Sequence, residues 1–152
     1  MINPLLDFSG LPRFADIRNE HITPAVEQLL ADNRAIIAGI RGDAAIPTWQ
    51  NFVQPMVDAN EHLFRAWGQV SHLNAVVNSP ELREIYNVNL PHVTQYSAEL
   101  GQDQALFEKF KQFQNSEEFE SLNRARKIIV ENELRDLRLG GAELSTQEKE
   151  RF

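Results

Sequence analysis

Leu73-Asn74-Ala75-Val76-Val77-Asn78-Ser79-Pro80-Glu81-Leu82-Arg83-Glu84 carries the end of one helix and the start of the next. Ser79 is a good N-cap, because its hydroxyl can accept from an orphan backbone N–H. Pro80 suits the first helical position, where its absent N–H costs nothing. Glu81 then places a negative charge at the positive end of the helix dipole. Upstream, Leu63, Phe64, Trp67, Val70, Leu73, Val76 and Val77 recur at three- and four-residue steps. Downstream, Leu82, Ile85, Tyr86, Val93, Tyr96 and Leu100 do the same until Gly101. Two apolar stripes separated by a cap predict two amphipathic helices joined by a short turn.

The same grammar extends outward in both directions. Thr48 opens the helix before the turn, with Trp49, Phe52, Val53, Met56 and Val57 on its stripe. Pro55 and Pro91 fall inside helical patterns, and each deletes one hydrogen bond, so a kink or a restart is expected at both. Thr23-Pro24 reads as an earlier cap and first position. Val26, Leu29, Leu30, Ile36, Ile37 and Ile40 form that helix's stripe, and Gly39 and Gly42 lie where it should end. Leu106, Phe107, Phe110 and Phe113 make a short aromatic segment at helical spacing. Ser116 reads as the cap of one further helix carrying Phe119, Leu122, Ala125, Ile128, Ile129, Leu134 and Leu137, stopped by Gly140-Gly141.

Residues 1–22 read as an irregular arm, punctuated by Pro4, Gly10 and Pro12. Its apolar Leu5, Leu6, Phe8, Leu11, Phe14 and Ile17 are expected to tack it onto the helices. Residues 23–152 read as one helical domain. No strand pattern and no repeat of 20 to 50 residues is present. The expected fold is all-α, an antiparallel helical bundle. Ser145-Thr146-Gln147-Glu148 is a capping box, which announces a helix. The chain stops four residues later at Phe152, which predicts a domain truncated from a longer polypeptide; a frayed tail is the plainer reading.

Composition removes several functional classes. The 152 residues are 42% hydrophobic and 24% charged, ordinary for a globular chain. There is no cysteine, so disulfides, thiolate zinc sites and cysteine nucleophiles are excluded. Nothing requires an oxidising compartment, and a cytoplasmic location is expected. Lys and Arg number 15 against 22 Asp and Glu, a formal charge of −7. Nucleic acid and anionic membranes would repel such a surface. The densest basic stretch, Arg124, Arg126 and Lys127, lies among Glu117, Glu118, Glu120, Glu131 and Glu133. No apolar run approaches the ~20 residues of a membrane span, and residues 1–7 lack the pattern of a signal peptide.

Candidate chemistry is sparse. His21, His62, His72 and His92 are never closer than ten residues, whereas helical zinc sites need closer pairs or a remote third ligand. HExxH, GxSxG, a phosphate-cradling glycine loop and an EF-hand loop are all absent. His72 reads as a packing histidine and His21 as a residue of the helix-start region. Glu61/Arg65 and Glu131/Arg135 stand four apart and read as solvated pairs worth a few tenths of a kcal/mol. Trp49, Phe52, Phe64, Trp67, Phe107, Phe110 and Phe113 could line a peptide-binding wall; their helical period favours core packing. Pattern alone therefore gives no catalytic residue, no metal ligand and no assigned substrate-binding residue.

The residues themselves carry a resemblance. Asn3-Pro4-Leu5-Leu6 with Leu11-Pro12, His21-Ile22-Thr23-Pro24-Ala25-Val26, and Thr48-Trp49 with Pro55 resemble the opening of the thimet-oligopeptidase family of zinc metallopeptidases. Val70-Ser71-His72-Leu73-Asn74 followed by Asn78-Ser79-Pro80-Glu81-Leu82-Arg83-Glu84 is the most specific stretch. Leu90-Pro91, Tyr96-Ser97, Gly101 and Leu134-Arg135-Asp136 agree in order and spacing, so the resemblance covers nearly the whole chain.

The resemblance implies a much longer, two-lobed helical enzyme with a deep channel between its lobes. It implies zinc held by an HExxH helix and a downstream Glu, far C-terminal to the matching region. In such a site the metal-bound water attacks and the HExxH Glu acts as base. This chain holds none of those residues. It is expected to be the non-catalytic N-terminal helical part of a zinc-dependent oligopeptidase that hydrolyses short peptides, inactive alone and forming part of a substrate-channel wall. Its implied partners are the rest of the same chain and short peptides, with no nucleic acid and no membrane. The alternatives are a stand-alone helical interaction module and the same region of a related peptidyl-dipeptidase. An exposed apolar patch is expected where a larger lobe would dock.

Overall fold

The computed structural model describes residues 2–149. Met1 and residues 150–152, the last three of the expected helical domain, lie outside the described residues. Seven α-helices and no strand are found among the described residues, so the all-α expectation holds. They are α1 (Asn19–Gly42), α2 (Gln54–Val76), α3 (Pro80–Gly101), α4 (Gln104–Gln114), α5 (Glu117–Ser121), α6 (Arg124–Leu139) and α7 (Thr146–Lys149). Short 3-10 turns at Pro4–Leu6 and Phe14–Asp16 interrupt the arm. No helix among the described residues is long and apolar enough to cross a membrane.

The chain divides into two compact units. The first comprises Met1–Ile37 and Met56–Thr94. Its helical parts are tied pairwise. Trp67 of α2 stacks on Tyr86 of α3 with ring centroids 4.9 Å apart, on either side of the Val77–Ser79 turn, which makes α2 and α3 an antiparallel hairpin. Asn33 of α1 donates to Asn60 Oδ1 of α2 at 3.4 Å. Asn89 of α3 donates to Thr23 Oγ1 of α1 at 2.8 Å. Ile22, Val26, Leu63 and Val70 are fully or almost fully buried between these contacts. The arm's Leu5 and Ile17 are buried, but Leu11 is 89% exposed and does not tack the arm down.

The second unit comprises Ala38–Pro55 and Gln95–Phe152. Here α4 packs on α5 and α6. Its core is aromatic: Phe52 meets Phe110 at 4.5 Å and Phe113 meets Phe119 edge-on at 6.2 Å. Tilted and edge-to-face arrangements of this kind suit the ring quadrupoles better than a face-to-face sandwich.

The caps behave as the sequence suggests at most starts. Ser79 Oγ accepts from Leu82 N, Ser116 Oγ from Phe119 N, and Ser145 forms its capping box with Glu148. Thr48 and Asn51 make a reciprocal box. That box opens a five-residue π-helical turn, Trp49–Val53, and α2 restarts at Gln54 with Pro55 as its second residue. The restart satisfies the constraint Pro55 imposes. Asn78 sits at φ 50° between α2 and α3, the left-handed conformation that Asn tolerates better than most residues.

Three readings are corrected. Helix α1 begins at Asn19, not at the Thr23-Pro24 step. Pro24 is its sixth residue and removes only the bond to Glu20, an exposed carbonyl-bearing residue of the first turn that water can serve. Pro91 does not restart a helix, since α3 runs from Pro80 to Gly101 with Pro91 inside it; that overturns the restart and leaves only the kink of the two expected outcomes. The helix begun at Ser116 stops after five residues: Leu122 turns extended (ψ 148°) and Asn123 caps α6 afresh. That interruption resets the helical phase, so Val130 is buried with Leu134 and Leu137 while Ile128 is 42% exposed.

Candidate functional site

The sequence candidates scatter rather than converge. His62 lies flat against Phe8, with centroids 4.1 Å apart, and His72 packs obliquely on Phe14 at 5.3 Å. Both histidines therefore fasten the arm to α2. His21 Nδ1 accepts the backbone N–H of Arg18 at 3.0 Å, which helps set the start of α1. His92 is exposed on α3. Among the described residues no group of three or more His, Asp or Glu is placed to hold a metal. The residues present do not fit the zinc centre that the resemblance implies, and no hydrolytic step is assigned to them.

Of the seven aromatic wall candidates, Trp49, Phe52, Trp67, Phe107, Phe110 and Phe113 are buried in the core and Phe64 is 45% exposed. Trp49 shows how fully such a ring is used. Its Nε1 donates to Gln54, its backbone N–H donates to Glu118, and the Arg126 guanidinium lies 4.6 Å above the ring. Glu61 pairs with Arg65 at 4.0 Å as the spacing suggests. Arg135 turns to Asp136 and Asn132 and leaves Glu131 aside.

Several polar residues escaped the sequence reading. Asp103 is buried and caps α4 through Leu106 N, while its other oxygen takes Arg41 Nε at 2.6 Å. Its signal was present: an acid immediately before Gln104-Ala105-Leu106, at a cap position. Asn33 and Asn89 occupy buried stripe positions in α1 and α3, where a periodicity scan looks for apolar residues. Glu133 is half-buried on α6; removal from water, and secondarily the Asp136 charge, push its carboxyl above the usual range.

Two concavities lie on the first unit. One, of about 440 Å³, is bounded by Asn3, Pro4, Arg13, Asp16, Arg18, Glu20 and His21, with Ile2 at its edge. Its charges largely satisfy one another: Arg13 reaches Asp7 and Asp16, and Arg18 donates to the carbonyls of Ala15 and Ile17. The other, of about 190 Å³, is an apolar notch between the arm and the tip of the α2–α3 hairpin, with Phe14, Ile17, Leu73, Val77 and Leu82 among its walls.

Long capped helices with an aromatic core and no strand among the described residues define an all-α helical domain. Residues 26–149 match the neurolysin/thimet oligopeptidase N-terminal domain, and the chain belongs to that family. It is 44% identical over 152 residues to oligopeptidase A of Haemophilus influenzae, 40% to that of Salmonella typhimurium and 39% to that of Escherichia coli. Each alignment covers 100% of this chain and 22% of the relative, so the chain spans about a fifth of the length of these relatives.

Proposed function

We propose that the chain is the N-terminal, non-catalytic part of a cytoplasmic zinc-dependent oligopeptidase, and that its helices form part of the wall of the channel through which short peptides reach the metal. The carrying observation is identity of 39–44% to three oligopeptidases along the whole chain, together with its 22% share of their length. The absence of HExxH from the sequence fits a division in which this segment supports and admits substrate while zinc chemistry belongs to a later segment. Walls of packed helices select by size, passing extended peptides and excluding folded proteins. The net charge of −7 adds a weak, salt-dependent bias on peptide entry.

The test is expression of the complete reading frame and assay on an internally quenched peptide of about ten residues (a working choice of substrate length). Cleavage that a zinc chelator abolishes and added zinc restores is expected, with no cleavage by residues 1–152 alone. Product lengths separate internal cutting from sequential dipeptide release. Zinc-dependent hydrolysis by the short chain, or a frame that ends at Phe152 with no peptidase activity, rejects the reading in favour of a stand-alone interaction module.

A further inference from the structure

The apolar notch is half core and half surface. Ile17, Ile22 and Leu82 at its base are buried, but Phe14 at its rim is 39% exposed, Val77 59% and neighbouring Val76 63%. The turn carrying these valines is built, not frayed. Asn78 holds its left-handed conformation while its Oδ1 and carbonyl accept from the Arg83 guanidinium, and Ser79 Oγ caps α3. The adjacent cation is committed as well, because Arg18 donates to Ala15 and Ile17 carbonyls. Arg18 and Ser79 on its wall are thus engaged within the chain, and most of what the notch offers an occupant is apolar surface. A pre-ordered hollow of about 190 Å³, with exposed Val77 on its wall, suits one large apolar side chain from a folded neighbour better than a charged ligand or a polar peptide backbone.

Chain length argues which neighbour. The relatives that align with all of this chain give it only 22% of their length. We propose that the notch bounded by Phe14, Leu73, Val77 and Leu82 receives an apolar side chain from the part of the peptidase that follows residue 152, and so docks the N-terminal helices onto the rest of the enzyme. This rests on the peptidase reading given above.

The experiment uses the full-length protein with the photo-crosslinker p-benzoylphenylalanine at position 77, and separately at position 76 in case the first does not fold. The chelator-sensitive cleavage assay of the full-length protein decides the peptidase reading beforehand, so the crosslink reports on docking alone. An intramolecular crosslink from either position to a peptide beyond residue 152 is expected, along with a lowered melting temperature for Val77→Asp and little change for Val77→Leu. Four results overturn the proposal: crosslinks confined to residues 2–149, a crosslinked dimer, labelling of added peptide substrate in place of the protein, or a Val77→Asp protein that melts like the parent.

Discussion

A Cβ built on Gly140 would fall 2.7 Å from the carbonyl carbon and 2.8 Å from the Cα of Gly101, whereas one built on Gly101 would meet Gly140 Cα at an ordinary 3.6 Å. The last residue of α3 and the residue closing α6 therefore touch backbone to backbone, and the contact is one-sided. Gly140 has helical φ and ψ of −72° and −10°, so the constraint there is space and not conformation. Gly140→Ala should destabilise the protein by about 1–3 kcal/mol, the usual range for overpacking. Gly101→Ala should be neutral or mildly stabilising, because alanine favours helix. Urea denaturation of the two variants checks this; equal midpoints would show that α3 and α6 do not approach so closely.

Asp103 serves two elements at once. One carboxylate oxygen caps α4 through Leu106 N, and the other binds Arg41 of α1. Asp103→Ala should cost the cap, about 1 kcal/mol, plus the coupling to Arg41. Asp103→Asn retains a capping oxygen and should lose mainly the coupling. A double-mutant cycle with Arg41→Met isolates that term, and a zero coupling would show that the ion pair contributes nothing despite the burial of Asp103.

The contrast between Ser79 and Thr23 explains how much of the fold was legible. Ser79, Thr48, Ser116 and Ser145 cap through bonds within three residues, so local sequence suffices to place them. The Thr23 hydroxyl is taken by Asn89, 66 residues away, and no local pattern announces such a partner. The break at Leu122–Asn123 was hidden for a related reason. Ala125, Ile128 and Ile129 continue an apolar period across it, and only the burial of Val130 reveals the shifted phase. The clefts were less legible still. They form where residues 3–18 fold back on α1 and on the α2–α3 tip, a tertiary event that leaves no periodic trace. Family membership was readable because the short words around Val70–Glu84 are collinear over the chain, a property independent of which face each side chain occupies.

Thr23 supplies a direct check on the corrected start of α1. Its hydroxyl accepts from fully buried Asn89, whose amide also donates to Ile85 O. Thr23→Val keeps the shape and removes the acceptor, which should cost roughly 1–3 kcal/mol by leaving a buried N–H unserved. Thr23→Ser should retain most of the stability. If Thr23 acted only as a helix cap, Thr23→Asp would be well tolerated; here it places a charge at a part-buried contact and should destabilise. Thermal melts of the three variants give the ranking.

Glu133 makes the fold sensitive to pH in a defined direction. Desolvation, and after it the Asp136 charge, raise its folded-state pKa above the ordinary 4.5. The folded chain therefore holds this proton to higher pH than the unfolded chain does. Across the window from about 4.5 up to the raised folded value, the unfolded state binds fewer protons, so this group's contribution to stability falls as pH rises. Above the window the ionised carboxylate remains a fixed cost. Glu133→Gln should abolish that slope and raise the melting temperature at pH 7, with little effect at pH 4. Asp136→Asn should give a smaller shift of the same sign, since it relieves only the secondary cause. Melting curves of parent and variants from pH 4 to 8 measure both. A Glu133→Gln protein that melts below the parent at pH 7 would mean that the ionised carboxylate is held by a favourable partner and not merely desolvated.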